Sequence, residues 1–215
     1  MPPRIKICCI SSIHEAKIAI NYGASAIGLV GKMPSGPGVI SDELICTIAK
    51  SVPPPVATFL LTSETSSQEI VHHQERTRTN TIQIVDRVEY SVLQKLRDAL
   101  PSVKLVQVIH VINEHSIEEA IEVSLSVDAL LLDSGNPNLS VKKLGGTGRV
   151  HNWKLSRIIV ENISIPVFLA GGLNADNAQR AFDEVHPFGL DICSGVRTNG
   201  KLDEKKLAQF FKAIA

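Results

Sequence analysis

The stretch PVFLAGGLNADNAQRAFDEVHPFGLDICSG, residues 166–195, holds one full turn of the pattern that decides the fold. A short apolar run, Pro166 to Ala170, ends in a glycine pair; a segment of helical period, Ala175 to Val185, follows; a second apolar run, Gly189 to Cys193, ends in Ser194-Gly195. Runs this brief, apolar on both faces, belong to strands covered from two sides, as in a parallel sheet wrapped by helices.

Outward from this stretch the same alternation recurs along the chain. Earlier strand candidates are Ile5 to Ile10, Ala26 to Val30, Val56 to Leu61, Thr81 to Val85, Lys104 to His110 and Ala129 to Asp133. Helical segments lie at His14 to Asn21, Ser41 to Val52, Ser66 to Arg78, Tyr90 to Leu100, Ser116 to Ser124, Trp153 to Glu161 and Asp203 to Ile214. Ser41-Asp42-Glu43 and Asn174-Ala175-Asp176 carry start signals, and Gly23 and Pro53-Pro54-Pro55 carry stop signals. Eight such units predict a single (β/α)8 barrel, one domain over residues 1–215. An open doubly wound sheet would place a glycine fingerprint after its first strand, where this chain has Cys8-Cys9-Ile10-Ser11.

A chain of 215 residues, 44% hydrophobic, can bury one substantial core. Basic and acidic residues balance at 22 each, so no global field recruits nucleic acid or an anionic membrane, and an anion must be held by local groups. No apolar run approaches the roughly 18 residues of a membrane span, and MPPRIKICCI lacks the pattern of a secretory signal. The expectation is a cytoplasmic protein with a small-molecule partner. Cys8, Cys9, Cys46 and Cys193 lack paired metal spacing and read as reduced thiols, with Cys46 and Cys193 as packing residues. His72-His73 reads as a solvated pair on a polar helix, so no metal is expected. His110 could touch a ligand or fill the barrel rim. Phe210-Phe211 anchors the last helix to the barrel or to a second subunit, which leaves monomer and homodimer open.

Loops after barrel strands build the active face. Gly171-Gly172 and Ser194-Gly195 follow strands seven and eight, where bare backbone N–H groups can meet a phosphate; the alternative is that they only make tight turns. Gly146, Thr147 and Gly148, after strand six, could add donors. Side chains alternate, so of Cys8 and Cys9 only one should face the barrel; Lys6 shares the face of Cys8 and finds a plausible partner in Asp191. Asp133 ends an otherwise apolar strand, where a carboxylate needs a partner or a task. The residues alone leave Cys8 as base or inert packing thiol, and Asp133 as acid or loop cap.

Taken together these motifs resemble the phosphoribosylanthranilate isomerase family. Lys6-Ile7-Cys8 resembles its strand-one signature and Leu131-Leu132-Asp133-Ser134 its strand-six motif. Gly145-Gly146-Thr147-Gly148-Arg149 with Trp153, Ala170-Gly171-Gly172-Leu173, and Asp191 with Ser194-Gly195-Val196 resemble its later loops. The resemblance implies an Amadori rearrangement of a phosphorylated sugar in tryptophan biosynthesis, with Asp133 as acid, Cys8 as base and no cofactor. It is broken in four places. Cys9 stands where the family has glycine, and Gly38 where an arginine is expected to grip the anthranilate carboxylate. Gln83-Ile84-Val85-Asp86 replaces Gln-Leu-His-Gly, and Arg197 replaces a glutamate. Lys32, Arg149 and Arg197 are the candidate replacement contacts. The departures keep two further readings open: a paralogous isomerase acting on another phosphorylated aldose or aminosugar, and a non-catalytic phospho-ligand sensor.

Overall fold

Eight parallel strands pair in chain order and the eighth returns to the first, closing the ring. The computed structural model describes residues 3–135 and 151–215. The strands are β1 (Arg4–Ile7), β2 (Ala26–Val30), β3 (Ala57–Thr62), β4 (Thr81–Ile84), β5 (Lys104–His110), β6 (Ala129–Asp133), β7 (Val167–Leu169) and β8 (Gly189–Ile192). The helices are α1 (Ile13–Asn21), α2 (Asp42–Ser51), α3 (Ser67–Thr77), α4 (Tyr90–Ala99), α5 (His115–Ser124), α6 (Trp153–Asn162), α7 (Ala178–Val185) and α8 (Glu204–Ala213). None of the described helices is long and apolar enough to cross a membrane.

Strand alternation sorts the side chains into two layers. Ile5, Ile7, Leu130, Leu132, Leu190 and Ile192 point outward and pack with helix residues such as Ile45, Leu93 and Phe210. Ala129, Leu131, Val106, Val108, Phe59 and Phe168 fill the interior. Phe59 and Phe168 meet edge to face, 5.9 Å between centroids, and plug the lower barrel. Lys6, Asp133 and Asp191 fall on the inward positions of β1, β6 and β8 by the same alternation.

The start signal at Ser41 acts as the sequence predicts, and two further serines cap helices in the same way. The Ser12, Ser41 and Ser66 hydroxyls accept from the backbone N–H three residues on, capping α1, α2 and α3. Gly23, with φ of 108°, takes the chain out of α1. Phe210 is buried and Phe211 lies against Tyr22 and beside Gly23, so the pair anchors α8 to the barrel and α1.

Three elements differ from expectation. The first strand stops at Ile7, because Cys9 adopts a left-handed φ of 62° that extended pairing cannot continue. Helix α7 begins at Ala178, three residues late: Asn174 Oδ1 accepts from the Asp176 N–H and Asn177 Oδ1 from the Asn174 N–H, both at 2.9 Å, and this polar turn competes with the helix. After β8 a 3-10 turn, Ser194–Val196, leads into a small hairpin, β9 (Arg197–Thr198) and β10 (Lys201–Leu202), which periodicity did not reveal.

Candidate active site

The strand ends deliver Cys8, Cys9, Asp133, Asp191, Gly171, Gly172, Cys193 and Ser194 to one cavity at the C-terminal mouth of the barrel. Loop residues Met33, Ser35, Gly36 and Pro37 after β2 form another part of its wall. Gly146, Thr147, Gly148 and Arg149 lie outside the described residues. Among the described residues no group of three or more His, Cys, Asp and Glu could hold a metal ion.

The electrostatics start with an ion pair inside the barrel. Lys6 and Asp191 face each other in the β1–β8 register, and Lys6 Nζ donates to Asp191 Oδ1 at 2.9 Å with the lysine fully buried. Burial alone would push the lysine down, but Asp191 and the neighbouring thiols carry it above its ordinary value. Burial raises Asp191, and Lys6 restrains the rise. Among the described residues no cation is bonded to Asp133 in this way. Burial pushes its carboxyl up to about 6 and the charge of Asp191 adds to the shift, while a hydrogen bond from the Ser134 N–H and the field of Lys6 oppose it. A carboxyl poised near neutrality in a cavity is suited to giving up a proton.

Cys8 shares the inward face with Lys6. A Cβ on Gly28 would lie 2.9 Å from Cys8 Sγ and 3.0 Å from Lys6 Nζ, so the bare glycine of β2 makes room for both. The expectation that only one of Cys8 and Cys9 faces the barrel is corrected: both line the cavity, because the left-handed turn at Cys9 breaks the alternation. Cys193 is likewise no simple packing residue. Its sulfur lies 3.0 Å from that of Cys9, which lies 3.9 Å from that of Cys8, so three thiols stand in a row along the wall.

Gly171, Gly172 and Ser194 line the cavity as expected. Gly195 does not; a Cβ there would lie 2.0 Å from the Leu173 carbonyl, so its role is to let the β7 and β8 loops touch. Gly38 also stands behind the wall. Its φ is 81°, and a Cβ would fall 2.6 Å from the Cβ of Cys9. Lys32 is exposed and is not among the lining residues.

Arg197 is corrected from substrate contact to structural clamp. It is 8% exposed; Nη2 donates to the Cys8 and Cys9 carbonyls at 3.0 and 2.5 Å, and Nη1 reaches Glu15 and the Gly200 carbonyl. Glu15 in turn accepts from the Ser11 and Leu202 N–H groups. This clamp fixes the end of β1 against the hairpin, and sequence reasoning missed it. The one available signal was Ser12-Ile13-His14-Glu15, the spacing of a capping box. His73 also departs from the solvated reading: it is buried, with Nδ1 3.0 Å from Thr62 Oγ1 and Nε2 3.1 Å from Asp42 Oδ1. His72 is exposed. His110 is buried at the rim with Nε2 3.1 Å from the Val85 carbonyl. His151, which no motif singled out, approaches the cavity loop at Gly171, and burial holds it down to about 4 and therefore neutral.

The family described as N-(5'-phosphoribosyl)anthranilate (PRA) isomerase matches residues 5–213. N-(5'-phosphoribosyl)anthranilate isomerase 2 of Methanosarcina mazei is 35% identical over 209 residues, 96% of this chain and 92% of the relative. The crystal structure of the Thermotoga maritima phosphoribosyl anthranilate isomerase superposes with a TM-score of 0.84 at 27% identity, over 99% of this chain and 98% of that one. A phosphoribosyl anthranilate isomerase in complex with reduced 1-(o-carboxyphenylamino)-1-deoxyribulose 5-phosphate superposes with a TM-score of 0.82 at 25% identity, over 99% and 98% of the two chains. With matches of this extent across the whole barrel, the chain belongs to the N-(5'-phosphoribosyl)anthranilate isomerase family.

Proposed function

We propose that residues 1–215 work as one domain that isomerises N-(5'-phosphoribosyl)anthranilate to 1-(2-carboxyphenylamino)-1-deoxyribulose 5-phosphate in tryptophan biosynthesis, with Asp133 as acid and Cys8 as base. The observation that carries the reading is the pairing, in one cavity, of a carboxyl held near 6 with an inward thiol. The complex of a family member with a reduced form of that product supports the phosphorylated ligand. Backbone N–H groups of Gly171, Gly172 and Ser194 hold the phosphate, where no side chain blocks approach. Asp133 gives its proton to the ring oxygen as the C1–O bond breaks, and the nitrogen lone pair forms the C1=N bond of the open imine. Cys8 then takes the C2 proton, leaving an enolamine that tautomerises to the ketose. The test is turnover of the synthetic adduct by the native chain and by Cys8→Ser and Asp133→Asn; each variant is expected to lose at least a hundredfold in kcat. Retention of full turnover by either one removes its residue from the mechanism.

One observation favours a broader substrate range. Among the described lining residues the ionisable side chains are carboxylates and thiols, with no cation, and Gly38 leaves no side chain to reach the aglycone. These residues give the anthranilate carboxylate little purchase, which leaves Arg149, outside the described residues, as its candidate contact; in an Arg149→Ala variant an uncharged phosphoribosyl arylamine is expected to have a KM similar to that of the anthranilate adduct. A KM at least tenfold higher for the uncharged adduct would show that the carboxylate is gripped after all.

A further inference from the structure

The geometry points to Cys9 and Cys193 as a reactive dithiol in the cavity wall, a modification site at which a low-molecular-weight disulfide is reduced and a Cys9–Cys193 bond forms. Neither thiol has a part in the isomerisation, yet their sulfurs already stand 3.0 Å apart. A disulfide needs about 2.05 Å, so about 1 Å of further approach closes the bond. The residues follow neighbouring strands that are locked together, with the Cys8 N–H donating to the Ile192 carbonyl at 2.8 Å. They are 184 residues apart in the chain but fixed in place by the closure of the barrel. The left-handed turn at Cys9 aims its side chain at β8 instead of the helix layer.

The pair is asymmetric in a way that orders the chemistry. Cys193 is half-buried and open to the cavity, and its hydrogen-bonded contact with Cys9, with the Arg197 and Lys6 charges, holds its thiol below the ordinary value. Cys9 is buried and held well above it by its hydrogen bonds to Cys193 and Cys8. Cys193 therefore attacks first, as thiolate, on one sulfur of R–S–S–R and expels R–S⁻. Cys9 then loses its proton and attacks Cys193 Sγ, expelling the second R–S⁻. The two protein protons end on two R–SH molecules, so two protein thiols are oxidised as one external disulfide is reduced. The new bond draws Cys9 away from Cys8, to which it is now joined at 3.9 Å. The resulting loss of turnover rests on Cys8 as the base; the crosslink itself does not.

The experiment treats the full chain with oxidised glutathione, blocks remaining thiols with N-ethylmaleimide, and maps tryptic peptides by mass. The expected result is the peptide of residues 7–17 joined to that of residues 181–197, with fragmentation placing the bond on Cys9. Two of the four free thiols should disappear, and dithiothreitol should restore them. Cys8→Ala should keep the crosslink, whereas Cys9→Ala should stop at a glutathione adduct on Cys193. A bond mapped to Cys8 or Cys46, or only glutathione adducts in the native chain, would overturn the dithiol. Turnover of the oxidised chain should fall at least tenfold and return with dithiothreitol; a complete crosslink with turnover unchanged would overturn the link to Cys8 alone.

Discussion

Asp133 shows how one inward position couples function to stability. Its carboxyl titrates at about 6 in the fold against an ordinary 3.8. Below 3.8 it is neutral in both states and costs nothing; between the two values the unfolded chain ionises first; above about 6 the full penalty applies. The carboxyl therefore contributes stability that is lost as pH rises through that window, on the order of 3 kcal/mol at about 1.4 kcal/mol per unit. Asp133→Asn should consequently be more stable than the native chain by an amount that grows between pH 4 and 7.5. Urea unfolding across that range checks it, and a constant difference would contradict the assignment. Cys9 and Gly38 illustrate a steric pairing on the same scale. Gly38→Ala meets both a left-handed φ and the Cβ of Cys9, and is expected to cost about 2–3 kcal/mol. In a Cys9→Gly background about half of that cost should vanish, and a cycle of thermal unfolding measurements gives the coupling; strict additivity would show that the two residues do not compete for space.

At the scale of elements, capping and clamping position what the strands carry. Ser66 Oγ accepts from the Glu69 N–H and donates to the Glu69 carboxylate at 2.6 Å, closing the start of α3. Ser66→Ala should lower stability by about 1 kcal/mol in chemical denaturation and leave turnover unchanged; an activity loss would mean that α3 reports to the cavity. The loop from β1 to α1 works differently, since it is held by Arg197 and Glu15, which arrive from opposite ends of the chain. The serine cap of α1 has a local cause, since the Glu15 N–H that donates to Ser12 Oγ lies three residues on. The clamp was not legible in the sequence, because its partners are 182 residues apart and one of them, read as a loop cation, had no local reason to be buried.

For the molecule as a whole, the decisive junction is the one between β8 and β1, where Lys6 and Asp191 lie inside the closed ring. Lys6→Met would leave a buried carboxylate without its partner, at an expected cost of about 3–5 kcal/mol in urea unfolding. Replacing both residues, as Lys6→Met with Asp191→Leu, should recover most of it; a double variant as unstable as the single would mean that the pair does not act as a unit. The eight strand–helix units, the inward faces of β1, β6 and β8, and the glycines at the mouth were all written in local periodicity and composition, which depend on nearest neighbours and so survive in a one-dimensional reading. Where the chain leaves that periodicity, the positive φ of Cys9 has no local signal, whereas the hairpin after β8 turns on Asn199-Gly200, a pair suited to positive φ that was overlooked because its strands are only two residues long. That Cys193 touches Cys9 and that Arg197 grips the end of β1 were decided only by ring closure, and that Gly38 lies under Cys9 only by the pairing of β1 with β2. Contacts between the first and last strands have no sequence-local cause; they exist because eight twisted strands must meet end to end.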